Sequence, residues 1–338
     1  MHAALLLGSA RCGSTLVSQI IRQHPDVLSL SELFIGLGPY GYRPDRCDGR
    51  TFWRHLTQPT PLMRRLANPD TMPDEFLYHR VENRRHDPFN CPPVLNIMLP
   101  HLTDRPDDLL DALGAEVVTW PLRPLADQYL ALFAALDRLV PGGPRKVWAE
   151  RSGGSLVAVR TLRRMFPQAR LVLLRRNGAA TALSLRQFTM ARAPVWLWKT
   201  GLPWVNTLNP RHHFGRGPFW PLLCRMGGLP GVNHLLTKRP SVVDCGRFWS
   251  DMMQTAVAEL RGADVTVIRY EQLLADPPRQ IVRLGMAVAG NAPPGWVAAT
   301  AHLPMARVSQ LDALSPADRR ALLAACEPGE AALDMLGR

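Results

Sequence analysis

The chain has 338 residues, a little over twice a common domain length of about 150, so one large α/β unit or two modest ones are both allowed. With 46% hydrophobic and 20% charged residues, it is not a disordered, fibrous or collagen-like protein. Forty Lys and Arg against 28 Asp and Glu leave a net charge of +12, and only Lys146, Lys199 and Lys238 are lysines, leaving 37 arginines. Two sources fit that excess: arginine standing for lysine over a solvated surface, or guanidinium forks recognising an anion.

In chain order, Ala3–Leu7 is a short apolar run that predicts a buried strand, Gly8–Gly13 a loop, and Ser14–Gln23 a helix with Leu16, Val17, Ile20 and Ile21 on one face. From Gly36 to about Asp107 the chain is Pro-rich and reads as irregular. Lys146–Trp148 predicts a short strand. Ser155–Phe166 predicts an amphipathic helix through Leu156, Val159, Leu162 and Phe166, and Leu171–Leu174 a second apolar strand. Ala191–Gly246, with seven Pro, seven Gly and Trp196, Trp198, Trp204 and Trp220, again reads as irregular, and Val265–Ile268 as a third apolar strand.

Short apolar strands separated by helices of ten or more residues predict a three-layer α/β/α fold around a parallel sheet. The whole of 1–338 is expected to form one unit. Its two insertions, about 36–107 and 191–246, irregular or helical, are expected to build lids and substrate walls at the carboxyl ends of the strands. The tryptophans suit either a satellite core or a substrate or membrane-interface surface, with Lys199, Arg211, Arg216 and Arg225 interleaved. The six cysteines (Cys12, Cys47, Cys91, Cys224, Cys245, Cys326) form no CxxC pair and have no clustered His partners, so neither a zinc site nor a disulfide framework is expected. Nothing resembles a signal peptide or a span of about 18 apolar residues, so the expected setting is cytoplasmic.

Gly8-Ser9-Ala10-Arg11-Cys12-Gly13-Ser14-Thr15 lies between a predicted strand and a predicted helix. That context aims successive backbone N–H groups and the positive helix end at a phosphate. The NTPase version of this loop places Lys directly after the second Gly and then Ser or Thr for Mg²⁺. Here Ser14 holds the Lys position and the cation sits inside the loop, at Arg11. The other strand ends run into Arg175-Arg176-Asn177 and Arg269-Tyr270, cationic where an NTPase carries an Asp. A nucleotide held by cations and amides, with no metal, is the expected ligand.

These residues resemble the sulfotransferases that use 3'-phosphoadenosine 5'-phosphosulfate (PAPS), most closely the tyrosylprotein and carbohydrate branch and its bacterial relatives. Arg11-Cys12-Gly13-Ser14-Thr15-Leu16 is similar to the family's R-S-G-T-T-L loop for the 5'-phosphosulfate. His24-Pro25 and then Glu32 follow, Glu32 standing 21 positions after Arg11 like the catalytic base of the tyrosylprotein branch. Arg176-Asn177-Gly178, with Ser184 eight positions after Arg176, resembles the 3'-phosphate motif R-D-G, with Asn for Asp. Arg269-Tyr270-Glu271-Gln272-Leu273 is similar to R-Y-E-x-L, whose tyrosine helps hold the nucleotide.

The resemblance implies that Arg11, Cys12, Gly13, Ser14, Thr15, Arg176, Ser184 and Tyr270 bind PAPS. It implies further that Glu32 is the general base, and that Arg11 and Arg151 stabilise the transferred group. Arg151 stands where the family's E-K-x-P has Lys, and the proline is missing. Arg307 and Ser309 are candidates for a C-terminal family contact. The implied acceptor is a hydroxyl of a small molecule, lipid or glycan, a peptide tyrosine staying open; nucleic acid is not expected, and 191–246 is a candidate peripheral membrane contact. A histidine base (His55, His79, His86 or His101), a P-loop kinase-like enzyme, and a non-catalytic PAPS- or anion-binding module stay open as alternatives.

Overall fold

A computed structural model describes residues 1–209, 217, 219–227, 231–305 and 310–337. Arg211, Arg216, Arg307 and Ser309 lie outside the described residues. Among the described residues there are seven strands: β1 (His2–Leu7), β2 (Val27–Ser31), β3 (Arg46–Cys47), β4 (Arg123–Pro124), β5 (Val147–Arg151), β6 (Arg170–Arg175) and β7 (Val265–Arg269). Five form one parallel sheet in the order β2-β5-β1-β6-β7, with Leu5 aligned between Glu150 and Leu171; β3 and β4 pair antiparallel apart from it.

The sheet is buried on both faces, which explains why its strands read as continuous apolar runs. On one face Leu5 and Leu7 of β1 join Leu28, Leu30, Trp148 and Leu173, packed under the helices Leu125–Leu139, Val159–Met165 and Val242–Leu260. On the other, Ala4 and Leu6 join Val172 and Leu174 beneath Ser14–Arg22 and Pro277–Ala289. The expected three-layer α/β/α architecture is present.

Adjacent strands β1 and β6 send their connections in opposite directions, β1 toward β2 at one edge and β6 toward β7 at the other. In an open α/β sheet this switch opens a crevice at the carboxyl ends of the strands. The phosphate loop follows β1, and Arg176-Asn177-Gly178 follows β6.

Several local expectations change. Ser155–Phe166 opens as a 3₁₀ turn, Ser155–Ala158, and becomes α-helical only over Val159–Met165, because Ser155 is drawn to the start of the phosphate loop. The stretches 36–107 and 191–246, expected to be irregular or helical, carry several helices among their described residues. Pro61 and Pro93 begin helices, where the missing N–H costs nothing, and so do not mark irregular chain. Thr189–Lys199, Phe219–Met226 and Val232–Thr237 are helices of the second insertion, and Val242–Leu260 starts within it. Among the described residues no helix is long and apolar enough to cross a membrane.

Candidate functional site

The phosphate loop leaves β1 in a conformation that side chains resist. Ala10 and Arg11 both have left-handed backbone (φ 60° and 55°), and Gly13 follows at φ 90°. Each non-glycine residue there costs on the order of 1 kcal/mol. Neighbouring hydrogen bonds hold it: the Gly8 N–H donates to Ser155 Oγ (3.0 Å), the Leu156 N–H to the Gly8 carbonyl (3.3 Å), and Arg176 Nη1 to the Arg11 carbonyl (2.9 Å). At Gly13 a Cβ would stand 2.3 Å from Cδ2 of Tyr270, so only glycine lets that ring close over the loop. The amides of Ser14, Thr15 and Leu16 then begin a helix with no acceptor inside it and no acidic side chain in its first turn. Cys12 and Ser14 are buried and Thr15 is exposed; burial pushes the Cys12 thiol up.

Arg11 is oriented from three sides. Its Nε donates to Ser184 Oγ (3.0 Å), its guanidinium lies 5.0 Å from the centre of the Phe188 ring, and its Nη1 pairs with Glu75. Ser184, expected to bind the nucleotide, accepts that hydrogen bond from Arg11 here. Arg176 stacks 4.9 Å from the Tyr270 ring centre, so loop, Arg176 and Tyr270 form one connected group. Asn177 Oδ1 accepts from the Ala180 N–H (3.0 Å) as an N-cap, a task Asn does as well as Asp. The Arg269 side chain is exposed at the end of β7.

Glu32 follows β2 directly, with φ 58°, and its carboxylate is only 12% exposed. It pairs with Arg151 Nη1, and its Oε2 accepts from the Gly153 N–H (2.8 Å). Arg151 Nη2 donates to Ser31 Oγ (2.6 Å), while its buried Nε has no partner among the described residues. One residue earlier on β5, Glu150 is fully buried. Burial, with Glu32 adding to it, pushes its carboxyl up to about 8, against the opposing hydrogen bond from Ser152. Ser152 Oγ in turn accepts from the Phe34 and Ile35 N–H groups, tying the segment after Glu32 to β5.

A cavity opens beside these groups. Ser9, Ala10, Gly153 and Gly154 form its end at the strands. Both insertions contribute to its lining, Leu62, Met63 and Leu66 from the first and Pro194, Leu197, Trp220 and Leu223 from the second, together with Phe188. Among the described residues no histidine lines it. His101 is buried against Ser29 Oγ (3.1 Å), and burial depresses it to about 3 and His55 to about 4, so both are neutral structural groups. His86 lies 3.8 Å from Asp107, and His79 packs near Phe76. Of the tryptophans, Trp220 is buried in the wall, Trp196 and Trp198 donate to the Lys238 carbonyl and Asp251, and Trp204 is exposed.

The fold thus brings Arg11, Cys12, Gly13, Ser14, Thr15, Arg176, Ser184 and Tyr270 to one end of the crevice, and Glu32 with Arg151 next to Gly153 of the adjoining cavity. Glu75 and Glu150 were not anticipated. Nothing in the spacing of the first insertion points Glu75 at Arg11, whereas a Glu within an apolar strand, as at Glu150, is a signal that could have been read. Among the described residues no group of three His, Cys, Asp or Glu side chains is placed to hold a metal ion.

Solved structures similar to the chain include the sulfotransferase domain from the Synechococcus PCC 7002 olefin synthase (14% identity, 98% of this chain, 88% of that chain, TM-score 0.42). A sulfotransferase from Alicyclobacillus acidocaldarius (14% identity, 100% and 96%, TM-score 0.42) and one from Mycobacterium avium (16%, 96% and 75%, TM-score 0.42) are also similar. No curated protein matches the chain in sequence. A sequence model described as the sulfotransferase family matches residues 4–207. That match takes in β1 and its phosphate loop, Glu32, β5 with Arg151, and the turn and helix carrying Arg176 and Ser184, and by it the chain belongs to the sulfotransferase family.

Proposed function

We propose that the protein moves a sulfuryl group from PAPS to a hydroxyl of a small-molecule, lipid or glycan acceptor. The reading takes residues 1–338 as one unit, with 36–107 and 191–246 supplying the acceptor side. The observation that carries it is Arg11: on a strained loop at the head of a helix, its guanidinium is met by a carboxylate, Glu75, which stands in for an anionic ligand. Arg151, with a buried Nε that no group among the described residues satisfies, is a second donor in keeping with an anion at this place. These residues fit PAPS, whose bound form supplies the sulfuryl group and a phosphate leaving group.

On this reading Arg11 and the first amides of Ser14–Arg22 face the 5' end, with Cys12, Gly13, Ser14 and Thr15 giving the loop its shape. Arg176 and Tyr270 face the 3'-phosphate, and Ser184 keeps Arg11 in place. Glu32, aimed by Arg151 and the Gly153 amide, accepts the proton of the acceptor hydroxyl, a contribution of about 10²–10⁴-fold. Arg11 stabilises charge on the departing phosphate, typically worth a few kcal/mol. Exposed Leu202, Trp204, Phe219, Leu222 and Met226 support a peripheral membrane contact through the second insertion.

The test pairs calorimetric binding of PAP, the desulfated nucleotide, with mass spectrometry of a metabolite extract incubated with protein and PAPS. Glu32→Gln should leave PAP affinity unchanged and lower transfer about 10²–10⁴-fold. Arg176→Ala should weaken PAP about tenfold or more. Parental transfer by Glu32→Gln would show that the base lies elsewhere, and absence of PAP binding would refute the nucleotide reading.

A further inference from the structure

The cavity beside Glu32 has a composition that narrows the acceptor. Among the described residues that line it, all are apolar apart from Ser9, Thr207 and the glycines at its strand end, and none carries a charged side chain. Ser9 spends its hydroxyl on the Ala10 carbonyl (3.1 Å), and the Gly153 N–H is spent on Glu32. Thr207 is different: it is 5% exposed and its Oγ1 has no hydrogen-bond partner among the described residues. A buried hydroxyl without a partner is costly, and in a cavity wall it is a vacancy for one polar group of a ligand.

A sugar entering this space would lose water from several hydroxyls and find one partner. A hydrocarbon would lose nothing it needs. The helix Phe219–Met226 carries the same preference outward, since Trp220 and Leu223 face the cavity while Phe219, Leu222 and Met226 expose an apolar face to solvent. The outer apolar face suits an acceptor that arrives from a micelle or lipid surface.

We propose that the acceptor is a largely hydrocarbon alcohol. Its reacting hydroxyl lies at the Glu32–Gly153 end, its chain along the walls, and one further polar group meets Thr207 Oγ1. This rests on the reading of Glu32 as the place of transfer. The step forms a bond from acceptor oxygen to sulfur as the sulfur–oxygen bond to the 5'-phosphate breaks, and the hydroxyl proton passes to Glu32.

The test uses the full chain. Straight-chain alcohols and α,ω-diols of roughly eight to fourteen carbons are titrated, with Trp fluorescence and calorimetry as readouts, alongside glucose and PAP. Alcohol affinity should rise about fourfold per methylene until the cavity is filled, and glucose should not bind. Ala193→Phe, or Leu223→Trp from another wall if the first fails to fold, should weaken alcohols at least tenfold and leave PAP unchanged. Thr207→Val should lower the preference for the best diol over the matching alcohol about tenfold. Binding of glucose without the alcohols, alcohol affinity indifferent to both wall variants, or a diol preference untouched by Thr207→Val would overturn the proposal. Alcohol binding without PAP binding would uphold the cavity's preference while refuting the nucleotide reading.

Discussion

Replacing Glu75 with Gln removes the charge that holds Arg11 while keeping the side chain's size. In the free protein, a nucleotide that uses Arg11 must first displace this carboxylate, so the pair is a cost set against binding. Arg11 and Glu75 side chains are 29% and 20% exposed, which places the pair between a surface bridge and a buried one. At an effective dielectric near 20 the gross attraction is about 4 kcal/mol, but the desolvation of both groups and residual solvent screening leave a net of about 1–2 kcal/mol. Ser184 and Phe188 still hold the guanidinium in the variant. PAP should therefore bind Glu75→Gln about five- to thirtyfold more tightly. Burial raises the Glu75 carboxyl above its ordinary range and Glu32 adds to this, against the pull of Arg11 and Arg151. Protonation then frees Arg11 as pH falls, so the gap between parent and variant should narrow toward acid. Calorimetric titration of PAP at several pH values measures both effects. Unchanged or weaker binding by a variant that melts like the parent would refute the stand-in reading, and a large fall in turnover would place Glu75 in the chemistry itself.

Other variants test the frame around the site. Glu150 keeps a proton in the folded state up to about pH 8 that the unfolded chain releases near its ordinary carboxylate value. Stability should therefore fall as pH rises through that window, by at most about 1.4 kcal/mol per pH unit, and level off above it. Glu150→Gln should abolish that slope and exceed the parent in chemical denaturation near pH 9; identical pH profiles would contradict it. Gly13→Ala, which drives a Cβ into Tyr270 at a positive φ, should cost about 2 kcal/mol or more and weaken PAP, as read by melting and calorimetry. Asn177→Ala should cost about 1 kcal/mol through its lost cap whereas Asn177→Asp stays near the parent, and equal melting of the two would rule out the capping role.

Legibility in the sequence followed how local each signal was. The strands β1, β6 and β7 were visible because unbroken apolar runs survive only in a sheet covered on both faces. The edge strand β2, Val27-Leu28-Ser29-Leu30-Ser31, was not anticipated. Its serines look like solvent-facing residues, yet Ser29 is buried against His101 and Ser31 against Arg151. The helix Val242–Leu260 was hidden behind a count of prolines and glycines that ends just inside it. At the site, Arg11, Glu32, Arg176 and Ser184 were singled out by their resemblance to family motifs, Glu32 lying 21 positions after Arg11 and Ser184 eight after Arg176. The contacts Arg11–Glu75 and Glu32–Arg151 join residues 64 and 119 positions apart, and only the fold brings them together.

The left-handed pair Ala10–Arg11 sets a trade between robustness and order. Glycine at position 10 would relieve about 1 kcal/mol of backbone strain, but its wider freedom in the unfolded chain would return about 0.5–1 kcal/mol of that gain. Selection for thermal tolerance thus has little to find there, while the added flexibility would fall on the turn that carries Arg11. Heat-resistant variants of this enzyme are better sought in the helices far from β1, leaving the strained residues as they are.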